Sequence, residues 1–129
     1  MVRDAALKFT RESSGTLAVH SVSSDGIRIN DEVWQKSIGL TPEAVLDDWQ
    51  EKPVAELVVE DFEVLLALDP ELVIVGTGTR IEFPPRELVF AFARKGIGLE
   101  VMDTAAAART FNVLAGEGRR VASVLFLPD

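Results

Sequence analysis

The second half of the chain alternates between helix-like and strand-like segments, and this alternation restricts the fold more than any other feature. Helices are predicted where apolar residues recur at every third or fourth position, and strands where short apolar runs lie between them. In chain order the segments are a helix over roughly 60–68, a strand over 71–76, a helix over 84–96, a strand over 97–102, a helix over 103–118 and a strand over 119–128. The pattern predicts an α/β fold with helices packed on a central sheet.

The first half of the chain predicts a β meander. Thr16–Val22 is rich in strand-forming residues, and Asp25-Gly26 is a strong signal for a two-residue hairpin loop before the next strand. A third strand is expected over 32–40. We expect this meander to form an additional β layer beside the central sheet.

Two helices in the middle of the chain carry more specific expectations. Thr41 has the chemistry of a helix cap, and Val45 and Trp49 are spaced as the buried stripe of a short helix. Leu88–Ala93 is apolar at six consecutive positions, so its helix is expected to be covered on more than one side. The N-terminal meander is the expected cover.

Size and composition predict one domain over 1–129, with 1–12 loosely ordered. The chain has 129 residues, 47% of them apolar, and this is enough for a hydrophobic core. No stretch approaches the roughly 18 to 20 apolar residues of a membrane span, and the N-terminal residues lack the apolar core of a signal peptide. The absence of cysteine excludes disulfides and thiolate chemistry and fits a reducing compartment. We therefore expect a cytoplasmic protein.

The net charge of −8 is concentrated in one part of the chain. Residues 1–70 contain fourteen acidic and six basic residues, whereas 71–129 contain seven of each. Most of the excess lies in 43–71, where ten acids accompany the single base Lys52. An acidic surface repels phosphate backbones, which argues against nucleic acid as a partner. The segment is either a solvated face or a docking surface for a basic partner.

A glycine-rich loop after the strand over 71–76 is the candidate site. Its glycines permit tight turning and close approach to a ligand, and the carboxyl end of a buried strand is where open α/β sheets bind ligands. The third glycine of the dinucleotide fingerprint is absent, and the next helix begins only near Pro85. The loop is therefore either a structural turn or a pocket for a small anion. The candidate residues are Gly76, Thr77, Gly78, Thr79 and Arg80, with Asp103, Arg109 and Asn112 at the edge.

The edge residues also have simpler interpretations. Asp103 is explained better as the cap of the following helix than as a ligand-binding acid. Arg109 and Asn112 lie three positions apart on that helix and could point toward the glycine loop. Alternatively, they form a surface pair or a hydrogen bond to the edge of a sheet.

No catalytic residue, metal site or cofactor is predicted. His20 is the only histidine and has no partner cluster. The adjacent carboxylates Asp47-Asp48 and Glu60-Asp61 would point about 100° apart on a helix, which is poor geometry for acid–base catalysis. No activating base is evident for Thr77 or Thr79. The sequence therefore favours a protein that is not an enzyme.

Two stretches resemble a known family, "PELVIVGTGTRIEFPP" and "GIGLEVMDTAAAARTFNVLAGEGRRVASVLF". The chain is similar over roughly 16–127 to the small domain-of-unknown-function family that includes mitochondrial complex I assembly factor three and the adipogenesis-associated protein. The resemblance implies a single α/β domain with a mixed sheet flanked by helices and an additional β layer. It implies no catalytic residues, and one eukaryotic member helps to assemble a respiratory complex. The absence of a presequence suggests a bacterial member.

Two functional hypotheses follow. The first is a non-catalytic protein-interaction or assembly module that meets its partner through the acidic residues of 43–71. The second is a small anionic-ligand binder or weak enzyme that uses the Gly76–Arg80 loop. A concave site with several backbone N–H groups and an inward-pointing Arg80 would favour the ligand site. An Arg80 in solvent, or one bound to Glu82 or Glu100, would favour the interaction module.

Overall fold

The computed structural model describes residues 16–129, which form strands and helices in two layers of sheet. The prediction that residues 1–12 are loosely ordered falls outside the described part of the chain. The strands are β1 (Val19–Ser23), β2 (Gly26–Ile29), β3 (Glu32–Trp34), β4 (Ile38–Leu40), β5 (Val45–Leu46), β6 (Leu72–Gly76), β7 (Gly98–Met102) and β8 (Val121–Leu125). The α-helices are α1 (Glu63–Leu66), α2 (Arg86–Lys95) and α3 (Thr104–Gly116), and two 3-10 turns cover Val54–Glu56 and Val59–Phe62.

The central sheet is mixed, as predicted. Its strand order is β5-β4-β8-β6-β7. β6 is parallel to both β7 and β8, whereas β4 is antiparallel to β8 and to β5. The last strand therefore lies inside the sheet and joins its parallel part to its antiparallel part. This mixed α/β architecture confirms the predicted fold class.

The meander forms a separate antiparallel sheet in the order β1-β2-β3. The first hairpin closes at Ser24 and Asp25, one residue earlier than the predicted pair, because Ser23 is paired with Gly26. The prediction of one strand over 32–40 is wrong. That segment divides into β3, which pairs with β2, and β4, which pairs with β8 in the central sheet. The side chains of Ile38 and Leu40 are fully buried, so this half belongs to the core.

The prediction of a helix after Thr41 is also wrong, because a tight turn lies at this position. The Thr41 hydroxyl accepts hydrogen bonds from the amides of Glu43 and Ala44 at 3.2 and 3.0 Å. This turn reverses the chain and brings Val45 opposite Leu40 as β5. The helix predicted over 60–68 is present in part: it begins as a 3-10 turn and is α-helical only in α1.

The central sheet separates two cores, because successive side chains of β6 point to opposite faces. Ile74 joins the core that contains β1, β2 and α3. Val73 and Val75 join the second core, with α2 and the second 3-10 turn. All three side chains are fully buried, which explains the continuous apolar run in this strand.

The expectation that α2 is covered on more than one side is wrong. Leu88 and Phe92 are buried against the second core, but Val89 and Phe90 are 43% and 55% exposed. The meander packs against α3 in the first core, on the other side of the sheet, so it does not reach α2.

Candidate functional site

Gly76 allows the start of α3 to pack directly on the end of β6. A Cβ atom at this position would lie 2.8 Å from Cα of Thr104 and 2.9 Å from Cβ of Ala107. Both distances are shorter than an ordinary van der Waals contact, and a main-chain Cα cannot move without moving the helix. The first glycine of the loop is therefore required by helix packing.

Thr77 folds the loop onto itself. Its side chain is buried, and its hydroxyl donates to the carbonyl of Arg80 at 2.6 Å while it accepts from the amide of Glu82 at 3.0 Å. The amide of Thr77 donates to the carbonyl of Met102 at 2.9 Å, which continues the pairing of β6 with β7. The polar groups of Thr77 are thus used inside the protein.

Thr104 joins the loop to two other parts of the chain. Its hydroxyl accepts from the amide of Gly78 and donates to the carbonyl of Phe126, both at 2.7 Å. Its own amide donates to the carbonyl of Gly78 at 2.9 Å, and its side chain is fully buried. Gly78 has a φ of 100°, which disfavours any residue with a Cβ. We call the group of Gly76, Gly78, Thr104 and Phe126 the Thr104 junction.

Sequence reasoning missed Thr104, although it found both glycines of the junction. The one available signal was its position after Asp103, where a threonine in the first turn of an apolar helix can point inward. Asp103 itself acts as the predicted cap, since its Oδ1 accepts from the amide of Ala106 at 2.8 Å. Asp103 and Thr104 therefore divide two tasks, capping the helix and tying it to the loop.

Thr79 and Arg80 lie at the exposed edge of the loop. The Thr79 hydroxyl donates to Oδ1 of Asp129 at 2.8 Å. This hydrogen bond, with smaller contributions from a backbone hydrogen bond and from the charge of Arg80, lowers the pKa of the Asp129 carboxyl. Within the described chain, the Arg80 guanidinium has no hydrogen bond or ion pair. An Arg80 in solvent is the arrangement expected of the interaction module.

Asn112 does not serve the glycine loop, contrary to the first of the two expectations for it. Its Oδ1 accepts from the amide of Val19 at 2.9 Å, and its Nδ2 donates to the Val19 carbonyl at 2.8 Å. The alternative, a hydrogen bond to a sheet edge, is the one observed, and it fastens α3 to the meander. Arg109 is exposed and has no hydrogen bond or ion pair to any residue of 16–129.

Part of the loop's hydrogen-bonding capacity is therefore used within the protein, whereas the amides of Thr79, Arg80 and Ile81 have no acceptor among residues 16–129. The amides of Thr77, Gly78 and Glu82 and the hydroxyls of Thr77, Thr79 and Thr104 all have partners within the protein. The Arg80 guanidinium is the charged group that stays available. Over the described residues 16–129, no group of three histidine, aspartate or glutamate side chains is arranged to hold a metal ion. Nor does any helix in this range have the length and apolar character needed to cross a membrane.

A pocket of about 220 Å³ lies elsewhere, between the β4–β5 hairpin and α1. The Trp49 ring forms one wall and is held edge-on by Phe62, at a centroid distance of 5.5 Å, and by Phe126, at 6.4 Å. The lining residues are Gly39, Leu46, Asp48, Trp49, Gln50, Glu60, Asp61, Val64 and Leu65. The pocket thus combines an apolar wall with three carboxylates from the acidic segment.

Only one of these carboxylates is neutralised by a neighbour. Asp61 forms an ion pair with Lys52 at 3.1 Å and caps the second 3-10 turn by accepting from the amide of Val58 at 2.8 Å. The exposed side chains of Asp48 and Glu60 form no ion pair with any residue in the described range. The local charge of the pocket is therefore negative.

Comparison with known proteins identifies the family. The family model described as "Protein of unknown function (DUF498/DUF598)" matches residues 19–126. The chain belongs to the DUF498/DUF598 family. The family match confirms the resemblance described above. The relatives of this chain include NADH dehydrogenase [ubiquinone] 1 alpha subcomplex assembly factor 3 from several vertebrates. The factor from Xenopus tropicalis is 30% identical over 129 residues, which cover 98% of this chain and 70% of that protein.

Solved structures of similar proteins show the same fold. The NMR structure of XCC1710 from Xanthomonas campestris is 38% identical, with a TM-score of 0.79 and coverage of 87% of this chain and 85% of that one. A protein described as an outer membrane protein from Bartonella henselae is 30% identical, with a TM-score of 0.77 and coverage of 89% and 98%. The DUF498/DUF598 chain spans between 65% and 70% of the length of four vertebrate assembly factors.

Proposed function

We propose that this protein is a non-catalytic interaction module that assists the assembly of a larger protein complex. The observation that carries the proposal is its similarity, over 98% of its length, to a protein named as an assembly factor. The hydrogen bonding of the glycine loop supports it, because the hydroxyls of Thr77 and Thr104 and the amides of Thr77, Gly78 and Glu82 are used to hold the fold. In this proposal the acidic residues of 43–71 meet the partner.

The test is a deletion strain of the source organism. We expect native gels of the strain to show incomplete forms of one multi-protein complex, and expression of the intact chain to restore the complete form. The respiratory NADH dehydrogenase is the first complex to examine, because the relative is named for it. Unchanged complexes, together with no partner recovered by the tagged chain at low salt, would contradict the proposal.

A second proposal keeps the anionic-ligand site, although the solvent position of Arg80 favours the interaction module. It is supported by the amides of Thr79, Arg80 and Ile81 and by the Arg80 guanidinium, which form no hydrogen bond within residues 16–129. A ligand that binds only the folded state raises the melting temperature. A panel of anionic metabolites should then stabilise the wild type and leave Arg80→Ala unchanged. A panel without effect on the wild type would remove this alternative.

Bacterial origin and a cytoplasmic location also stay proposals. The bacterial source of XCC1710 supports the bacterial origin, and the absence of cysteine supports the cytoplasmic location. The Bartonella henselae protein, in contrast, is described as an outer membrane protein. Cell fractionation with an antibody against the chain would decide the location, and recovery in the membrane fraction after a high-salt wash would contradict the cytoplasmic proposal.

A further inference from the structure

We propose that the pocket beside α1 receives an arginine side chain from a basic, apolar segment of the partner protein. This inference rests on the proposed function and adds to it the docking surface and the chemistry of the partner. Four features of the pocket carry it: its volume, its aromatic wall, its uncompensated carboxylates and its apolar rim.

The volume fits one side chain better than a metabolite. A cavity of about 150 Å³ accommodates a benzene molecule, and sites for drug-sized ligands usually measure about 300–1,000 Å³. The pocket of about 220 Å³ lies between these values. A single long side chain that projects from a protein segment is therefore the occupant that the size favours.

The Trp49 wall is placed to receive the stem of such a side chain. The ring lies edge-on against Phe62 and Phe126, so packing fixes its position. Its Nε1 is buried and has no acceptor in the described part of the chain, so packing rather than hydrogen bonding holds it. With Leu46 it gives the pocket an apolar surface of the kind that the methylene groups of arginine cover.

The carboxylates then select a positive charge. Asp61 is neutralised by Lys52, but Asp48 and Glu60 have no basic neighbour in ion-pair contact within residues 16–129. A guanidinium can bind carboxylates through several N–H groups at once, whereas an acidic segment would be repelled. Charge complementarity therefore indicates that the occupant belongs to a basic segment.

The rim extends the surface beyond the pocket. Val64 lies on α1 and Leu68 four residues later in the turn that follows the helix, and they are 57% and 54% exposed. Residues at this spacing are neighbours on a helical surface, so they form a short apolar ridge. The partner segment is expected to place aliphatic residues on this ridge, beside the arginine that enters the pocket.

The two tryptophans allow binding to be followed directly. Replacing Trp34→Phe leaves Trp49 as the only tryptophan in the chain. The probes are three blocked peptides of equal length, composed of leucine with arginine, serine with arginine, and leucine with glutamate. The leucine–arginine peptide should change the Trp49 fluorescence saturably and bind more weakly at high salt. The serine–arginine peptide should bind less tightly, and the leucine–glutamate peptide should not bind.

A matched pair of double variants tests the position of the charges. Asp48→Asn with Glu60→Gln removes the two uncompensated charges of the pocket. Glu32→Gln with Glu117→Gln, both exposed and outside the pocket, removes the same total charge. The pocket variant should bind the leucine–arginine peptide about tenfold more weakly than the control variant, because each exposed charge pair contributes modestly.

Three results of the binding experiments would each overturn the inference. They are no saturable binding of the leucine–arginine peptide, equal binding of the leucine–glutamate peptide, and equal affinities of the two double variants. Complementation of the deletion strain separates this failure from that of the proposed function. If the pocket variant restores assembly as well as the intact chain does, the assembly function stands and the pocket is not the docking surface.

Discussion

Replacing Gly76→Ala tests whether the glycine loop exists for the fold. The added Cβ would meet Thr104 Cα at 2.8 Å, and ordinary contact requires about 3.4 Å or more, so the start of α3 must shift by about 0.6 Å. Such a shift stretches the two 2.7 Å hydrogen bonds of the Thr104 hydroxyl beyond their usual ranges, about 2.7–3.2 Å for the Gly78 amide donor and about 2.5–3.0 Å for the hydroxyl donor. Overpacking costs about 1–3 kcal/mol, and a weakened buried hydrogen bond adds about 1 kcal/mol. The free energy of unfolding should fall by about 2–4 kcal/mol.

Thermal unfolding followed by circular dichroism measures this effect. For a domain of this size, 1 kcal/mol corresponds to a change of roughly 3–5 °C in Tm, so the variant should melt about 10 °C below the wild type. Gly116→Ala is the matched control, because it lies on α3 and its added Cβ meets nothing within 4 Å. The control should melt at or above the wild-type temperature, since alanine favours a helix. A Gly76→Ala variant as stable as this control would refute the packing explanation and return Gly76 to the candidate ligand site.

Three further variants test the neighbouring interactions. Thr104→Val keeps the shape of the side chain but leaves a buried amide and a buried carbonyl without partners, so chemical denaturation should show a loss of about 2–4 kcal/mol. Asp103→Ala removes the cap of α3 and should cost about 1 kcal/mol in the same assay. A hydrogen bond from the Arg119 side chain and, to a smaller extent, one from the Arg120 amide lower the pKa of Glu71 below its ordinary value of 4.5. Glu71→Gln should therefore be less stable than the wild type at neutral pH, and the difference should disappear as the pH falls through the lowered pKa, which urea unfolding at several pH values can check.

The α/β half of the fold could be predicted because its signals are local. Asp103 caps α3 through its own side chain, and Gly96 ends α2 in the left-handed conformation that glycine adopts readily. β6 is apolar throughout because the sheet is covered on both faces. Each of these features depends on residues within one or two turns, so the sequence carries it without knowledge of the rest of the chain.

The first half was harder to predict because distant partners decide it. The segment over 32–40 is a continuous strand pattern, and only its pairing with β2 and then with β8 divides it in two. Thr41 can cap a helix or a tight turn with the same hydroxyl, and the pairing of Leu40 with Val45 selects the turn. Nothing in the apolar run of α2 indicates that Phe90 stays exposed.

The location of the candidate site was predicted, but its network of hydrogen bonds was not. The loop glycines were found, yet the hydrogen bonds of the Thr104 hydroxyl to Gly78 and Phe126 span 26 and 22 positions, and spacing does not reveal contacts of that range. Asp48 and Glu60 were visible as charges, but the pocket that contains them exists only when the β4–β5 hairpin lies beside α1.

These observations separate what identifies the family from what can set its function. Gly76, Gly78 and Thr104 lie in the segments that carry the family resemblance, and their polar groups and contacts join β6, α3 and the chain after β8. A match at these positions therefore reports the fold, and two members can share it while binding different partners. Asp48 and Glu60 hold nothing together among the described residues, so they can change without loss of the fold. Partner choice within the family should for this reason follow the chemistry of such surface residues and not that of the glycine loop.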